Sequence, residues 1–226
     1  MKMFNRITKK LLGIVPDYAY LPLAFMFFIN LVTYYGTRLL TDHFKHYDIS
    51  VSLDSRLPFW PVFIIPYLFA FLQWTVGFIV ISRNSKAYCY KVISGEILSK
   101  LIVCLIFVLF PTTVFRNEIC GQDFCSRIVA LIYAIDAPTN LFPSIHCLES
   151  YICMRTALEM KNVSRNYKVT MIVTGLLVFM STLLVKQHVV LDVLGAVVVA
   201  ETGRFIAEFI IAHPLRRKKA GREYEY

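Results

Sequence analysis

Charge is what this chain has least of. Only 17% of its 226 residues are Asp, Glu, Lys or Arg, against 57% hydrophobic, and its mean hydropathy is +0.59. A soluble domain of this length needs more polar surface, so water-soluble classes are excluded and a polytopic membrane protein is expected. The chain also lacks an internal repeat and a low-complexity linker, which leaves one domain. No small-residue cleavage site follows a short apolar core after Met1–Lys10, so the first apolar run is read as a retained span rather than a signal peptide. Soft ligands do not recur in pairs and no acidic cluster stands out, so neither a metal nor a cofactor is expected. The net charge is +9, yet the cations lie between apolar runs, where they set orientation in a bilayer; nucleic acid is not an expected partner.

Apolar runs are what the chain has instead. Six approach the ~20 residues that cross a hydrocarbon core: Ala19–Gly36, Pro61–Ser82, Val92–Thr113, Ser144–Met160, Val169–Val185 and Val189–Ala212. The expected fold is all-α, a six-transmembrane-helix bundle over residues 19–212. A basic N-terminal segment, 1–18, precedes it and a basic tail, 213–226, follows. Lys2, Arg6, Lys9 and Lys10, then Arg83, Lys86 and Lys91, then Lys161, Arg165 and Lys168, then Arg216–Lys219 and Arg222 recur on every second connection. The positive-inside rule makes these cytoplasmic, both termini included, in a multi-pass protein of the cell membrane. The loop with Arg116, the stretch Pro143–His146 and the turn Lys186–His188 then share the extracytoplasmic face. Pro58, Pro61 and Pro66 fix the entry to the second run, where missing N–H groups cost least.

Two of the five histidines come with companions. Pro143-Ser144-Ile145-His146 opens the fourth run, and His188 and Asp192 lie four residues apart where the fifth run meets the sixth. On a helix that spacing puts imidazole and carboxylate on one face, with the second ring nitrogen left free. His43, His46 and His213 have no such partners and are read as interfacial contacts. Glu96 and Lys100, four apart inside the third run, are expected to neutralise one another. Glu149, one turn beyond His146, is read either as adjusting its basicity or as making an interhelical hydrogen bond. Cys120 and Cys125 share one loop around Gly121, open to a local disulfide or to two free thiols. The other four cysteines read as small hydrophobes.

With these residues in view, the chain resembles the type 2 phosphatidic acid phosphatase superfamily, in its integral-membrane branch. Pro143-Ser144-Ile145-His146 matches the second family motif in full. Ser181, His188 and Asp192 match the third in identity and spacing, with Thr182 where the family has arginine. In the first motif only Arg116 matches: Leu109 stands in place of a lysine and Asn117 in place of a proline. The stretches Asp54–Pro61, Phe110–Arg116 and Lys186–His188 look like the lipid phosphotransferase-like members.

The resemblance implies phosphoryl transfer on a lipid phosphate substrate without a metal. His188, oriented by Asp192, would attack phosphorus to form a phosphohistidine, and His146 would protonate the leaving oxygen and later accept a proton from water. Arg116, Ser144, Lys186 and the N–H groups of the helix opened at Ser144 would hold the phosphoryl oxygens, with Lys186 standing in for the missing cations. Three activities are compatible: a lipid phosphate phosphatase, a headgroup phosphotransferase of inositol or sphingolipid type using the same residues, and a non-enzymatic lipid transporter or binding protein.

Overall fold

The computed structural model describes residues 13–116 and 118–223, with side chains described to residue 211. Asn117, the basic segment 1–12 and the side chains of the basic tail, His213 among them, therefore lie outside the described residues. Eight helices occur among the described residues. The first, α1 (Asp17–Thr41), is α-helical except for a π-helical segment at Val32–Gly36. Next come the short α2 (Ser52–Arg56), α3 (Ile64–Asn84, entered through a 3-10 turn at Pro61–Phe63) and α4 (Lys86–Leu109). They are followed by α5 (Phe124–Ile135), α6 (Ile145–Glu159), α7 (Arg165–Leu184) and α8 (Val190–Glu223).

Local chemistry sets these boundaries. Ser85, Ser144 and Ser164 cap α4, α6 and α7, each side chain accepting an N–H three residues on. Asp123 caps α5 by accepting from Cys125 N and Ser126 N, satisfying donors that a helix start leaves free. Those hydrogen bonds from Ser126 also hold the Asp123 carboxyl below its ordinary value.

Four helices are long and apolar enough to cross a membrane: Asp17–Thr41, Pro61–Asn84, Lys86–Leu109 and Arg165–Leu184. The other two expected spans differ for physical reasons. Helix α6 has only 15 residues and carries Glu149, Arg155 and Glu159; α8 carries Glu201, Arg204 and Glu208 through its middle. Those charges are paired side to side: Arg204 with Glu201 and Glu208, Arg155 with Glu159 and Glu201, and Lys91 with Glu208.

The core lies where α3, α4, α6 and α8 meet, around Phe78, Ile81, Phe107, Leu148 and Ala200. Helices α4 and α8 cross closely because small residues face each other. A Cβ on Gly203 would stand 2.1 Å from Ser99 Oγ and 2.5 Å from the Gly95 carbonyl, so any larger residue would force the backbones apart. Outward positions such as Leu21, Leu39, Leu105 and Val198 leave large apolar side chains exposed, the surface expected against lipid.

Three connections are laced together at one end of the bundle. Strand β1 (Tyr47–Asp48) pairs in parallel with β2 (Thr112–Thr113), and Thr113 bridges antiparallel to Thr139. Asn140 Nδ2 reaches back to the Thr41 hydroxyl at 2.7 Å. The opposite end holds the start of α4 against the end of α6, through Tyr88 and Glu159. It therefore carries the basic turns at Arg83–Lys86 and Lys161–Arg165.

Candidate active site

At the laced end, the start of α6 meets the turn between α7 and α8. Ser144 is fully buried; its hydroxyl accepts from Cys147 N at 3.3 Å, and its own N–H donates to the Asp192 carbonyl at 3.2 Å. Two stretches 48 residues apart are thereby joined through backbone. Helix α7 ends in a tight reversal. The N–H groups of Gln187 and His188 both donate to the Thr182 carbonyl at 3.0 Å, and Lys186 adopts the left-handed region at φ 53. Thr182, standing where the resembled family has arginine, is thus the pivot of the turn.

His188 does not lie on a helix face with Asp192, as the spacing suggested. It sits in the turn, two residues before α8, and Asp192 is in the first turn of that helix. The contact forms nonetheless. Asp192 Oδ2 stands 3.0 Å from His188 Nδ1 and also accepts from Val189 N at 3.0 Å. A carboxylate only accepts, so Nδ1 carries a ring proton, and in the neutral ring Nε2 keeps its lone pair. Asp192 is fully buried, which keeps water from competing for that bond.

His146, the second residue of α6, brings its ring to 6.5 Å from that of His188, centroid to centroid. It stacks on Tyr67 at 4.3 Å and meets the edges of Trp74 and Phe71 at 5.1 and 5.8 Å. Its Nε2 is buried without a hydrogen-bond partner. Both histidines line a cavity of about 470 Å³ between α1 and α3. Its walls are mainly aromatic and aliphatic, with polar groups from Asn30, Tyr34, Asp136, Thr139, Asn140 and Gln187.

The two expected cations take different places. Arg116 lies behind the cavity wall: its guanidinium donates to the carbonyls of Tyr133 and Asp136 and to Gln187 Oε1, and stacks over the Tyr133 ring at 4.6 Å. Burial pulls it below the ordinary arginine value, and the Asp136 carboxylate pushes it back up. Lys186 points away from the cavity. Its ammonium donates to the carbonyls of Asp54 and Leu57 at 2.8 and 2.7 Å, capping the C-terminal end of α2. Burial lowers its pKa, and the Asp54 carboxylate opposes the shift. Asp54 in turn accepts from Val190 N at 2.8 Å, so α2 clamps the start of α8.

Of the six expected site residues, the fold therefore gathers His146, His188, Asp192 and Ser144, sets Arg116 one residue back, and turns Lys186 outward. Sequence reading missed Gln187 and the ring set Tyr67, Phe71 and Trp74, whose i, i+4, i+7 spacing already puts them on one helix face. It also missed Asp136, which ends an apolar helix and accepts from the Tyr34 hydroxyl. All six cysteines are free, Cys120 and Cys125 included. Among the described residues, no three His, Cys, Asp or Glu side chains gather in a way that could hold a metal ion. No protein family, characterised protein or solved structure matches this chain.

Proposed function

We propose that the protein is an integral-membrane enzyme that transfers the phosphoryl group of a lipid phosphate ester through His188. One observation carries this reading: a buried carboxylate fixes His188 Nδ1 at 3.0 Å, while a second histidine stands 6.5 Å away and both line one largely apolar cavity. An isolated buried imidazole needs neither a tautomer-fixing carboxylate nor a facing base. A two-step displacement needs both.

In the first step the His188 Nε2 lone pair forms a bond to phosphorus, the bond from phosphorus to the lipid oxygen breaks, and His146 gives that oxygen a proton. In the second step His146 takes a proton from water, the water oxygen bonds to phosphorus, and the bond to His188 breaks. The distance between the rings suits groups that act on opposite sides of one phosphorus atom. N–H groups at the start of α6, capped by Ser144, supply donors for the phosphoryl oxygens. The apolar cavity takes the lipid chain. In this reading α6 and α8 cross the membrane beside the four long helices, giving six spans with both termini cytoplasmic and the histidines extracytoplasmic.

The wall around His146 is aromatic, and its Nε2 is shut off from solvent. That favours a second outcome in which an alcohol replaces water as acceptor, making the enzyme a headgroup phosphotransferase. Purified protein in vesicles, given phosphatidic acid, a polyprenyl diphosphate or a headgroup donor with an alcohol acceptor, tests both by following free phosphate and transferred headgroup. Activity that disappears in His188→Ala supports the reading. Equal product release by wild type and His188→Ala contradicts it.

A further inference from the structure

We propose that Gln187 is a phosphoryl-binding residue of this site and that Arg116 is a positioning residue acting through it; this rests on the reading that the cavity binds a phosphate ester. A primary amide has one accepting atom and one donating atom, and a guanidinium can only donate. The atom that meets Arg116 must therefore be Gln187 Oε1, which fixes the amide's orientation and directs its NH2 away from the arginine. That Nε2 is buried and has no hydrogen-bond partner, although Gln187 is only 2% exposed. An amide donor left unfilled in a buried place is costly and calls for an explanation, of which a bound ligand is one.

The surroundings point to an anion. Gln187 lines the same cavity as His146 and His188, whereas Arg116 does not. Its backbone is held in the turn by the Thr182 carbonyl, and its carbonyl oxygen faces a cation that is itself pinned by Tyr133 and Asp136. A positive charge on the far side polarises the amide and strengthens its N–H groups as donors. The site thus presents to the phosphoryl group a rigid neutral donor backed by a buried charge, where the resembled family places cations directly. It does so beside the residue proposed to attack phosphorus, where oxyanion charge develops.

Gln187→Glu separates this role from a structural one. The glutamate is the same size and gives Arg116 a stronger acceptor, so a residue needed only to satisfy Arg116 would leave activity and thermal stability unchanged or improved. A phosphoryl donor would lose its N–H groups and present a carboxylate oxygen to an anion instead. We expect kcat/KM on a lipid phosphate to fall by roughly 10²-fold or more, orthovanadate to bind correspondingly less tightly, and the unfolding temperature in detergent to hold or rise. Gln187→Met gives the same two readouts should the glutamate variant not fold. Arg116→Met and Gln187→Met should be non-additive, the double variant costing little more than the worse single one. Folded variants that keep both kcat/KM and vanadate affinity within about threefold of wild type, or a double variant whose loss is the product of the two single losses, overturn the proposal. Wild-type protein that neither turns over lipid phosphates nor binds vanadate defeats the phosphoryl-transfer reading and this proposal with it. An active wild type with an unaffected Gln187→Glu overturns the proposal alone.

Discussion

Two buried polar clusters sit in this apolar bundle, and they spend their charges differently. The cluster around Lys100 is built on ion pairs within α4 and across to α6. Its ammonium donates to Glu149 at 2.5 Å and Asn30 at 2.8 Å and forms a longer ion pair with Glu96 at 3.5 Å, while Glu149 Oε2 and both Glu96 oxygens have no hydrogen-bond partner. It ties α1, α4 and α6 together where Lys100, Glu96 and Glu149 are all buried. The cluster around His188 opens on a cavity instead. His146 Nε2 and Gln187 Nε2 lack partners, and both residues line a cavity. Both clusters leave polar atoms unfilled; what separates them is the cavity, which is lined by both histidines and Gln187 but, of the Lys100 cluster, only by Asn30. The difference can be broken experimentally from either side.

The largest effect should fall on activity alone. His188→Ala is expected to lower turnover by roughly 10⁴-fold or more on the proposed mechanism, since the nucleophile is lost, with the unfolding midpoint in detergent little changed. A parallel loss of folded protein would erase the contrast between the clusters.

The next largest should fall on stability alone. Lys100→Met leaves two carboxylates buried without their cation and should destabilise by about 3–5 kcal/mol, the usual cost of breaking a buried pair from one side. Turnover per folded molecule should stay within severalfold of wild type. Unfolding in detergent and single-turnover assays on the folded fraction measure the two separately.

Asp192→Asn belongs to the open cluster and should lower kcat by roughly 10²-fold or more, because an amide oxygen that keeps the hydrogen bonds from Nδ1 and Val189 N carries no charge to stabilise the cationic phosphohistidine. The protein should remain folded, as Asn can still accept from Val189 N. The smallest effect is expected at Lys186→Gln. Its ammonium serves the carbonyls of Asp54 and Leu57, so the loss should be about 1 kcal/mol of stability, with kcat/KM within threefold. A fall of two orders of magnitude there would mean that Lys186 leaves α2 and reaches the phosphoryl group.

What could be read from the sequence followed the range of the forces involved. The four long apolar helices are local signals, set by composition over about 20 residues, and their limits differ from the expected runs by up to six residues, as at Lys86 against Val92. The pairing of His188 with Asp192 is also local, although a turn rather than a helix face makes it. Helix α5, with 12 residues, is too short for a span and falls outside the six expected runs, and α6 and α8 carry charges paired both along their own helix and across to other helices. Glu96 and Lys100 were paired correctly, but the closer partner, Glu149, is 49 residues away in sequence. The roles of Arg116, Gln187 and Lys186 were illegible for the same reason. Each is decided by which carbonyl or amide the fold brings opposite, and Lys186 is taken by a five-residue helix about 130 positions earlier.

The most direct measurement is a rapid-quench experiment on purified wild-type protein with a lipid phosphate labelled in its phosphoryl group. The account predicts a transient, acid-labile and base-stable label on the peptide containing His188, formed at least as fast as turnover and absent from His188→Ala. Turnover with no label on that peptide, or a label that persists in His188→Ala, would contradict it.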